Sequence, residues 1–520
     1  MVEAQITANP VRTNSASAML ARVSRGMGAL SLNASVQVIA QIAVVPAALY
    51  AWGKVRYGEW IVITGLVTFL RLTDLGLQTY VVNRLCASYA RSERETLERD
   101  LHNALRAQIP LVVAITLLAA ITLATLPVAQ MLRVQTLTST AFNVVAMLIA
   151  VELLLGVPMG IVAGVYRATG RLARAALVGT FQQAVLTVLT ISLILFNASF
   201  VSLATARVVV GIIVSVWIVS DLRRLYPWLR IWKGEGDWRD GVRMMGPGIF
   251  FILFPLADFF STQFTILVLQ QSADGGQVSL LATHRTVANI AVMASGLLTN
   301  AVWPELTALH ARGEFEQLRK THRSLARMNM WIVGMIVIGT FPFIPHIFPL
   351  WTARELSIDT LTLLVLLLRV VIWGLWSASL TMLCAVNKQK TVALIVVGAA
   401  ALTSLSSLWL IPIAGIRGAA LAQLVGDLAF SSWLIPLVAI KQTRDRLANY
   451  LRETAPVAAI GLVIPAFAGL IGWTLITSTG LKFGLLVPLV ISSAAALMWF
   501  QLAPYERSAL FHSIGRPFTR

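Results

Sequence analysis

The stretch STAFNVVAMLIAVELLLGVPMGIVAGV, at residues 139–165, decides the class of fold. It carries one charged residue, Glu152, within a run of mostly apolar and small residues. A helix that crosses the hydrocarbon core of a bilayer needs roughly 20 mostly apolar residues. This stretch is therefore predicted to span a membrane as an α-helix.

Further segments of the chain have the same length and apolar character. Transmembrane β-strands would instead alternate apolar and polar residues over segments of about ten residues, a pattern that this sequence lacks. We therefore expect an all-α polytopic membrane protein with about 14 transmembrane helices. The predicted helices lie at about 27–50, 58–83, 107–127, 139–165, 175–196, 198–220, 241–268, 278–303, 328–350, 359–385, 391–412, 418–440, 455–476 and 484–503.

The composition of the 520 residues supports this prediction. Apolar residues make up 57% of the chain and charged residues 12%, about half of the roughly 25% that is usual in soluble domains. The mean hydropathy is +0.78. Two cysteines, Cys86 and Cys384, are too few for a disulfide framework. These values exclude an ordinary soluble enzyme, a disordered chain and a disulfide-rich scaffold.

Basic residues are distributed unevenly between the two predicted faces of the membrane. With the N-terminus inside and the helices alternating in direction, inner segments hold 31 of the 41 Lys and Arg residues, and outer loops hold six. Cytoplasmic loops of membrane proteins are enriched in Lys and Arg. Both termini are therefore predicted to be cytoplasmic, and the net charge of +18 needs no nucleic-acid partner.

A long basic loop follows the sixth predicted helix, and six more helices follow the loop. This pattern favours two six-helix bundles related by an internal repeat, which is a common transporter design. The predicted parts are a cytoplasmic segment 1–26, a first lobe 27–220, an inter-lobe loop 221–240, a second lobe 241–440, two further helices within 455–503 and a cytoplasmic tail 504–520.

Two inner loops have mixed charges at helical spacing. They read RETLERDLHNALRAQ at 94–108 and PELTALHARGEFEQLRKTHRSLAR at 304–327. Both are expected to be short amphipathic helices at the inner membrane surface.

Eight charged residues fall inside the predicted helices, away from their ends. A charge at the bilayer centre costs roughly 2.5–3.5 kcal/mol, so each must face a cavity or an opposite charge. Arginine suits phosphate because its planar guanidinium can bond two oxygens and stays charged. The candidate substrate-binding residues are Arg71, Arg207, Arg285 and Arg369, with His284 beside Arg285, and the candidate ion-coupling residues are Asp74, Glu152, Asp258 and Asp427.

Salt bridges between helices are an equal alternative for these charges. Arg71 and Asp74 are three residues apart on one helix face, so they can also neutralise one another.

Uncharged residues extend the candidate cavity lining. The first helix carries three amide side chains at a spacing of four, and the tenth carries two indoles four and seven residues after Arg369. An arginine with two indoles on its face suits a sugar phosphate. Hydrogen bonding between helices and ordinary packing are the alternatives. These further candidates are Asn33, Gln37, Gln41, Asn289, Trp373 and Trp376.

Sequence patterns of catalysis are missing. The chain has no phosphate-binding P-loop and no paired cysteines or histidines at metal-ligand spacing. We therefore expect no cofactor, no metal and no enzymatic activity.

Three stretches resemble polysaccharide flippases, in the order in which those proteins carry them. The second helix of those proteins is similar to YGEWIVITGLVTFLRLTDLGLQTYVVNRL at 57–85. Their eighth helix and the loop after it are similar to ATHRTVANIAVMASGLLTNAVWPELTALHARGEFEQLRK at 282–320. The start of their twelfth helix is similar to IPIAGIRGAALAQLVGD at 411–427, and the pair Gly170-Arg171 after the fourth predicted helix also fits the family.

The chain thus resembles the O-antigen and exopolysaccharide flippase branch (Wzx-like) of the multidrug, oligosaccharidyl-lipid and polysaccharide exporter superfamily. The resemblance implies two six-helix lobes around a central cavity, followed by two C-terminal helices. It implies that an undecaprenyl-diphosphate-linked oligosaccharide crosses the bacterial inner membrane by alternating access coupled to an ion gradient. Membrane lipids, a polysaccharide polymerase and a chain-length regulator are its candidate partners.

Two other functions compete with this one. A drug or cation antiporter of the same superfamily would bind its cation at Asp74 or Asp258. A non-transport membrane subunit of a polysaccharide assembly complex would use the helices as a scaffold.

The predicted topology is tested by reporter fusions. Because basic residues stay on the inner side, fusions after Pro227 and Gln442 should report cytoplasm, and a fusion after Ala273 should report periplasm. Reversed signals at two of these three sites would contradict the orientation.

Overall fold

The computed structural model describes residues 10–456, apart from residues 75, 233, 235 and 387. The predicted thirteenth and fourteenth helices lie outside the described residues except for the start of the thirteenth, and so do the segment 1–9 and the tail 504–520. Within the described residues the chain is helical, without a β-strand.

The α-helices follow one another through short connections. They are α1 (Pro10–Thr68), α2 (Leu77–Ala90), α3 (Arg94–Thr125), α4 (Val128–Met131), α5 (Ser139–Ala168), α6 (Leu172–Leu195), α7 (Phe200–Leu225), α8 (Trp238–Asp258), α9 (Phe264–Ser272), α10 (Gly275–Ala311), α11 (Phe315–Thr340), α12 (Ile344–Trp351), α13 (Thr360–Ala385), α14 (Gln389–Gly426) and α15 (Ser432–Gln442). Short 3₁₀ turns occupy Phe69–Asp74 and Phe341–Phe343, π turns occupy Phe259–Gln263 and Asp427–Ser431, and residues 447–456 are again helical.

These helices coincide with the predicted spans. Eight helical stretches of the described residues are long and apolar enough to cross a membrane. One of them, Gln389–Gln442, contains two predicted spans, and another, Ser35–Asp74, covers parts of two. The helices α10 and α11 are not among the eight. The prediction of an all-α multi-pass membrane protein is confirmed.

Glycines separate the predicted spans within the two longest helices. Gly53 in α1 has φ 69° and ψ 173°, and Gly415 in α14 has φ 55° and ψ −128°. Both values of φ lie where glycine alone avoids a clash of Cβ with the backbone. The chain therefore reverses at these points without a loop, which joins the first predicted span to the second and the eleventh to the twelfth.

The amphipathic stretch at 94–108 is not the short separate helix that its charge pattern indicates. It is the first half of α3. Its polar side chains are buried in contacts with neighbouring segments: Asp100 accepts hydrogen bonds from Arg84 at 2.8 and 3.0 Å, and Gln108 donates to the Thr73 carbonyl at 2.9 Å. These contacts bury one face, so the helix continues into the membrane instead of lying on its surface. The stretch at 304–327 is likewise divided between α10 and α11.

By packing, the chain divides into two units, 1–278 and 279–520. The core of the first unit is a cluster of fully buried side chains from α2, α3, α5 and α7, with Leu77, Leu101 and Tyr166 among them. The helix α8 packs against α2 and α3 of this unit. The six-helix lobes and their boundaries at 220 and 241 stay a prediction.

Two glycines let α1 and α10 approach closely within the first unit. A Cβ added to Gly58 would clash with the carbonyl group of Gly275, and one added to Gly275 would clash with the carbonyl oxygen of Val55. The neighbouring Glu59 is buried and accepts hydrogen bonds from the backbone N–H groups of Gln135 and Thr136, at 2.5 and 3.1 Å. The start of α10 is thus fixed to the second predicted helix and to the loop before α5.

We expect Gly275→Ala to destabilise the protein, because backbone atoms that cannot rotate away occupy the space of the new methyl group. Overpacking of this kind costs roughly 1–3 kcal/mol. Thermal unfolding of the purified protein in detergent measures the effect. Gly296→Ala in the same helix is the matched control, since no atom lies within 4 Å of its added Cβ. Equal unfolding midpoints for the two variants would contradict the close approach.

Candidate functional site

A cavity of about 560 Å³ lies among the membrane helices of the first unit. Ligand sites of proteins usually measure about 300–1,000 Å³. Three glycines on three different helices form part of the cavity wall, where larger side chains would reduce the volume of the cavity. They are Gly156, Gly179 and Gly211. The polar groups that line it are Asp74, Gln78, Glu152, Tyr166, Gln182 and Ser215.

A fork-shaped ion pair joins α5 to α7 beside the cavity. The Nε of Arg207 donates to Glu152 Oε2 at 2.7 Å, and its Nη2 donates to Oε1 at 3.0 Å. The side chains are 27% and 11% exposed, so water reaches the pair poorly. Two parallel charge-assisted hydrogen bonds are the strongest arrangement that an arginine and a carboxylate can form. The predicted substrate arginine and the predicted coupling carboxylate are therefore partners of one another.

Asp74 reaches the cavity from the 3₁₀ turn Phe69–Asp74, which interrupts the second predicted helix. Its Oδ1 accepts a hydrogen bond from the backbone N–H of Gln78 at 3.1 Å. The amide of Gln78 packs on Gly160 of α5, where a Cβ would lie 2.6 Å from Gln78 Oε1. The side chain of Arg71, the predicted partner of Asp74, lies outside the described part of the structure.

The amide stripe of α1 is engaged in contacts with a neighbouring helix and within its own helix. Asn33 donates to the hydroxyl of Thr180 on α6 at 3.1 Å, and Gln37 donates to Asn33 Oδ1 at 3.0 Å. Gln41 is exposed. These geometries match the interhelical hydrogen bonding that was one of the two alternatives for this stripe.

A second ion pair lies in the second unit. Arg369 on α13 donates through Nε to Asp427 Oδ2 at 2.8 Å, and their side chains are 23% and 11% exposed. Asp427 is the first residue of a π turn. Such turns are rare and occur often at functional sites.

The neighbouring predicted residues of α10 differ in exposure. His284 is fully buried: its Nδ1 lies 2.7 Å from the Leu280 carbonyl oxygen, and its Nε2 accepts from the Asp359 backbone N–H at 3.2 Å. These partners assign the neutral tautomer with the proton on Nδ1, and the ring packs against Phe348. His284 is thus engaged inside its own unit, whereas Arg285 is half-buried and Asn289 is exposed.

The two indoles of α13 contact one another. Their ring centroids are 6.1 Å apart with an interplanar angle of 69°, an edge-to-face arrangement. Trp376 is buried and Trp373 half-buried. In the first unit, Asp258 ends α8 directly before the other π turn, and its side chain is exposed.

Four of the polar residues that line the cavity are not among the candidates predicted from the sequence. They are Gln78, Tyr166, Gln182 and Ser215. Tyr166 donates to Asp221 Oδ2 at 2.6 Å, and Arg174 donates to the same oxygen at 2.8 Å. The sequence does contain a pattern that indicates the cavity wall. Gly156, Gly160 and Gly164 recur every four residues and therefore share one face of α5.

No protein-family model and no curated protein matches the sequence. Solved structures of membrane transporters share this fold. A structure of the lipid II flippase MurJ in an inward closed conformation has a TM-score of 0.69 at 11% identity, covering 94% of this chain and 99% of that chain.

Multidrug-resistance transporters of the MATE family share the fold over a shorter part of the chain. An inward-facing conformation has a TM-score of 0.60 at 13% identity, covering 83% of this chain and 99% of that chain. An outward-facing conformation has a TM-score of 0.59 at 13% identity, covering 82% and 96%. At these identities the likeness defines the fold and leaves the substrate open.

The Glu152–Arg207 pair makes a prediction about stability. Arg207→Gln should destabilise the protein strongly, since removing one partner of a buried pair costs roughly 3–5 kcal/mol. Adding Glu152→Gln should restore much of the loss, because no uncompensated charge remains. Thermal unfolding in detergent measures all three variants as a double-mutant cycle.

The exposed pair of Arg243 and Asp240, at 3.0 Å, is the control. Its single variants should change stability by about 1 kcal/mol or less. Additive losses in the Glu152–Arg207 cycle would show that the two groups do not depend on one another.

Proposed function

We propose that the chain is a flippase of the bacterial inner membrane. It translocates an undecaprenyl-diphosphate-linked oligosaccharide, an O-antigen or exopolysaccharide repeat unit, from the inner to the outer leaflet. The observation that carries this proposal is the cavity of about 560 Å³ among the membrane helices, lined by amides, hydroxyls and carboxylates. An oligosaccharide exposes many hydroxyl groups, which need such partners when they leave water.

The comparison with solved structures supports the same substrate class. The lipid II flippase covers 94% of this chain, whereas the drug transporters cover 82–83%. The match to a protein that moves a lipid-linked sugar therefore includes more of the chain. The choice of the O-antigen and exopolysaccharide branch rests on the sequence motifs that resemble it.

Coupling to an ion gradient follows from the chemistry of the two ion pairs. While Asp427 is ionised it holds Arg369, and while Glu152 is ionised it holds Arg207. Protonation or ion binding at the carboxylate weakens the pair and makes the guanidinium available to the substrate diphosphate. The same arginine is then bound in one state of the cycle and free in the other, as alternating access requires.

Asp74 favours a second candidate function. Its carboxylate lines the cavity, and a carboxylate inside a membrane cavity is a suitable partner for an organic cation. A drug or cation antiporter of the same fold would use it in this way. The choice between the two functions depends on which molecule accumulates when the gene is lost.

Loss of the gene should leave lipid-linked oligosaccharide on the cytoplasmic leaflet. The measurement is the amount of lipid-linked sugar on each leaflet in spheroplasts, before and after complementation with the intact gene. An unchanged distribution together with new sensitivity to cationic drugs would support the antiporter. Normal translocation with a defect in polymer assembly would support the non-transport subunit.

Complementation with arginine variants tests the diphosphate site. We expect Arg285→Ala and Arg369→Ala to reduce export by roughly tenfold or more for each molecule of folded protein in the membrane, since a hydrogen bond to a charged group contributes about 1.5–3 kcal/mol. Lysine at either position should restore part of the export, because it keeps the charge and loses the planar fork.

Arg354→Ala is the matched control, because this arginine is exposed and lies in a loop outside the helices. It should export normally. Normal export by both test variants would place the diphosphate site elsewhere, at Arg71 or Arg207. A loss of protein from the membrane that is rescued by Asp427→Asn would instead assign Arg369 to a structural pair.

A further inference from the structure

A second, smaller cavity lies in the second unit, on the side that is predicted to face the cytoplasm. Its volume is about 350 Å³, and it is formed by the first turns of α11 and the segment 444–449 that follows α15. Both elements come from basic inner loops of the sequence. The residues that line it are all charged or polar, in contrast to the mixed wall of the larger cavity.

The segment that closes this cavity is held firmly against α11. Arg323 donates through Nε to Asp445 at 2.7 Å and through Nη1 to Glu453 at 2.5 Å. One turn away from this contact, the buried ring of His322 stacks on Tyr450, with centroids 5.4 Å apart at 22°. Burial lowers the pKa of His322 to about 4, so this ring stays neutral at physiological pH. The cavity is therefore preorganised.

The carboxylates in the cavity wall are already used by two of its basic residues. Asp445 binds Arg323, and Glu316 binds Lys320 at 2.8 Å. The side chains of Arg319, Arg444 and Arg446 form no ion pair with a carboxylate of the described residues. Among the described residues, three guanidinium groups of this cavity thus form no ion pair with a carboxylate, and the two carboxylates of the wall are bound to Arg323 and Lys320.

Arg444 occupies a backbone position that normally belongs to glycine. It follows the end of α15 with φ 55°, while the Asp445 N–H donates to the Ile440 carbonyl at 2.9 Å. This is the left-handed termination at which side chains are disfavoured and glycine is common. The arginine is nevertheless held there, with its guanidinium 4.6 Å from the ring of Phe315 and its carbonyl accepting from Arg319 at 3.2 Å.

We propose that this cavity binds the phosphate of an anionic phospholipid headgroup in the inner leaflet. Three guanidinium groups without protein carboxylates suit a phosphate diester, which accepts bidentate hydrogen bonds. The helix at 447–456 supports a lipid in preference to a soluble phosphate. Leu447 and Leu451, one turn apart beside the cavity, are 45% and 48% exposed, and they provide an apolar surface for acyl chains.

The enrichment of cytoplasmic loops in basic residues explains how many arginines these loops carry. It does not explain their convergence in one cavity, nor an arginine at a position that favours glycine. A specific headgroup site accounts for both. This inference does not depend on the substrate proposed above.

The test uses the purified full-length protein in detergent, with phosphatidylglycerol and phosphatidylcholine added separately as mixed micelles. Native mass spectrometry measures bound lipid, and thermal unfolding measures the stabilisation. We expect phosphatidylglycerol to bind at least about tenfold more tightly, since each basic residue near an anionic lipid surface contributes roughly a factor of five. The combined variant Arg319→Gln, Arg444→Gly and Arg446→Gln should lose this preference.

A matched control removes the same charge elsewhere on the predicted inner side. Arg91→Gln, Arg223→Gln and Arg224→Gln change three exposed arginines of the first unit, and this variant should keep the preference. The single change Arg444→Gly guards against unfolding. It removes a disfavoured backbone conformation, so without lipid it should be at least as stable as the original protein and still bind phosphatidylglycerol more weakly.

Three results would overturn the proposal. The first is an unchanged preference in the combined variant, and the second is an equal loss in the control variant, which would indicate diffuse surface charge. The third is stabilisation by inorganic phosphate or glycerol 3-phosphate equal to that by the lipid, which would assign the cavity to a soluble phosphate.

Discussion

The structure depends on one constraint: a charge inside the hydrocarbon core must be compensated within the protein. An uncompensated guanidinium or carboxylate would cost several kcal/mol. Two of the four intramembrane arginines meet this requirement with a carboxylate on a neighbouring helix, Arg207 with Glu152 and Arg369 with Asp427. Each pair joins helices at mid-span, where an apolar contact would lack direction. The pairs therefore fix which helices are neighbours and how far each is rotated about its axis.

The two pairs occur on corresponding helices of the two predicted lobes. Glu152 and Arg207 lie on the fourth and sixth predicted spans, and Arg369 and Asp427 lie on the tenth and twelfth. The partners are separated by 55 residues in one case and by 58 in the other. The order of the charges is reversed, with the carboxylate first in one half and the arginine first in the other. The predicted repeat of six helices would account for these similar spacings, if each predicted lobe needs one compensated charge at the same place, whichever residue provides which sign.

Hydropathy was sufficient to predict the helices, because a membrane helix satisfies its backbone hydrogen bonds within its own segment. Hydropathy could not predict that the segment 94–108 is the first half of the long helix α3. The burial of Asp100 and Gln108 depends on partners in other segments of the chain. The candidate site was predictable as a set of charges and not as a set of contacts. Glu152 and Arg207 were both identified but with separate roles. His284 is buried and is bonded to the backbone of Leu280 and Asp359. The spacing of residues along the sequence does not indicate the contact with Asp359.

The π turns connect this charge compensation to the conformation of the backbone. Each lies at an intramembrane aspartate. The turn Phe259–Gln263 follows Asp258 directly, and the turn Asp427–Ser431 begins at Asp427 itself. In a π turn each backbone hydrogen bond spans five residues instead of the four of an α-helix. The bond from the Ser432 N–H to the Asp427 carbonyl is an example. Because membrane helices lack water to satisfy free backbone groups, the backbone groups of such a turn must be bonded within the helix. At Asp427 the residue that begins the π turn also binds Arg369 through its carboxylate. Neutralising the carboxylate would therefore weaken the ion pair at the residue from which the π turn of the last described membrane helix starts.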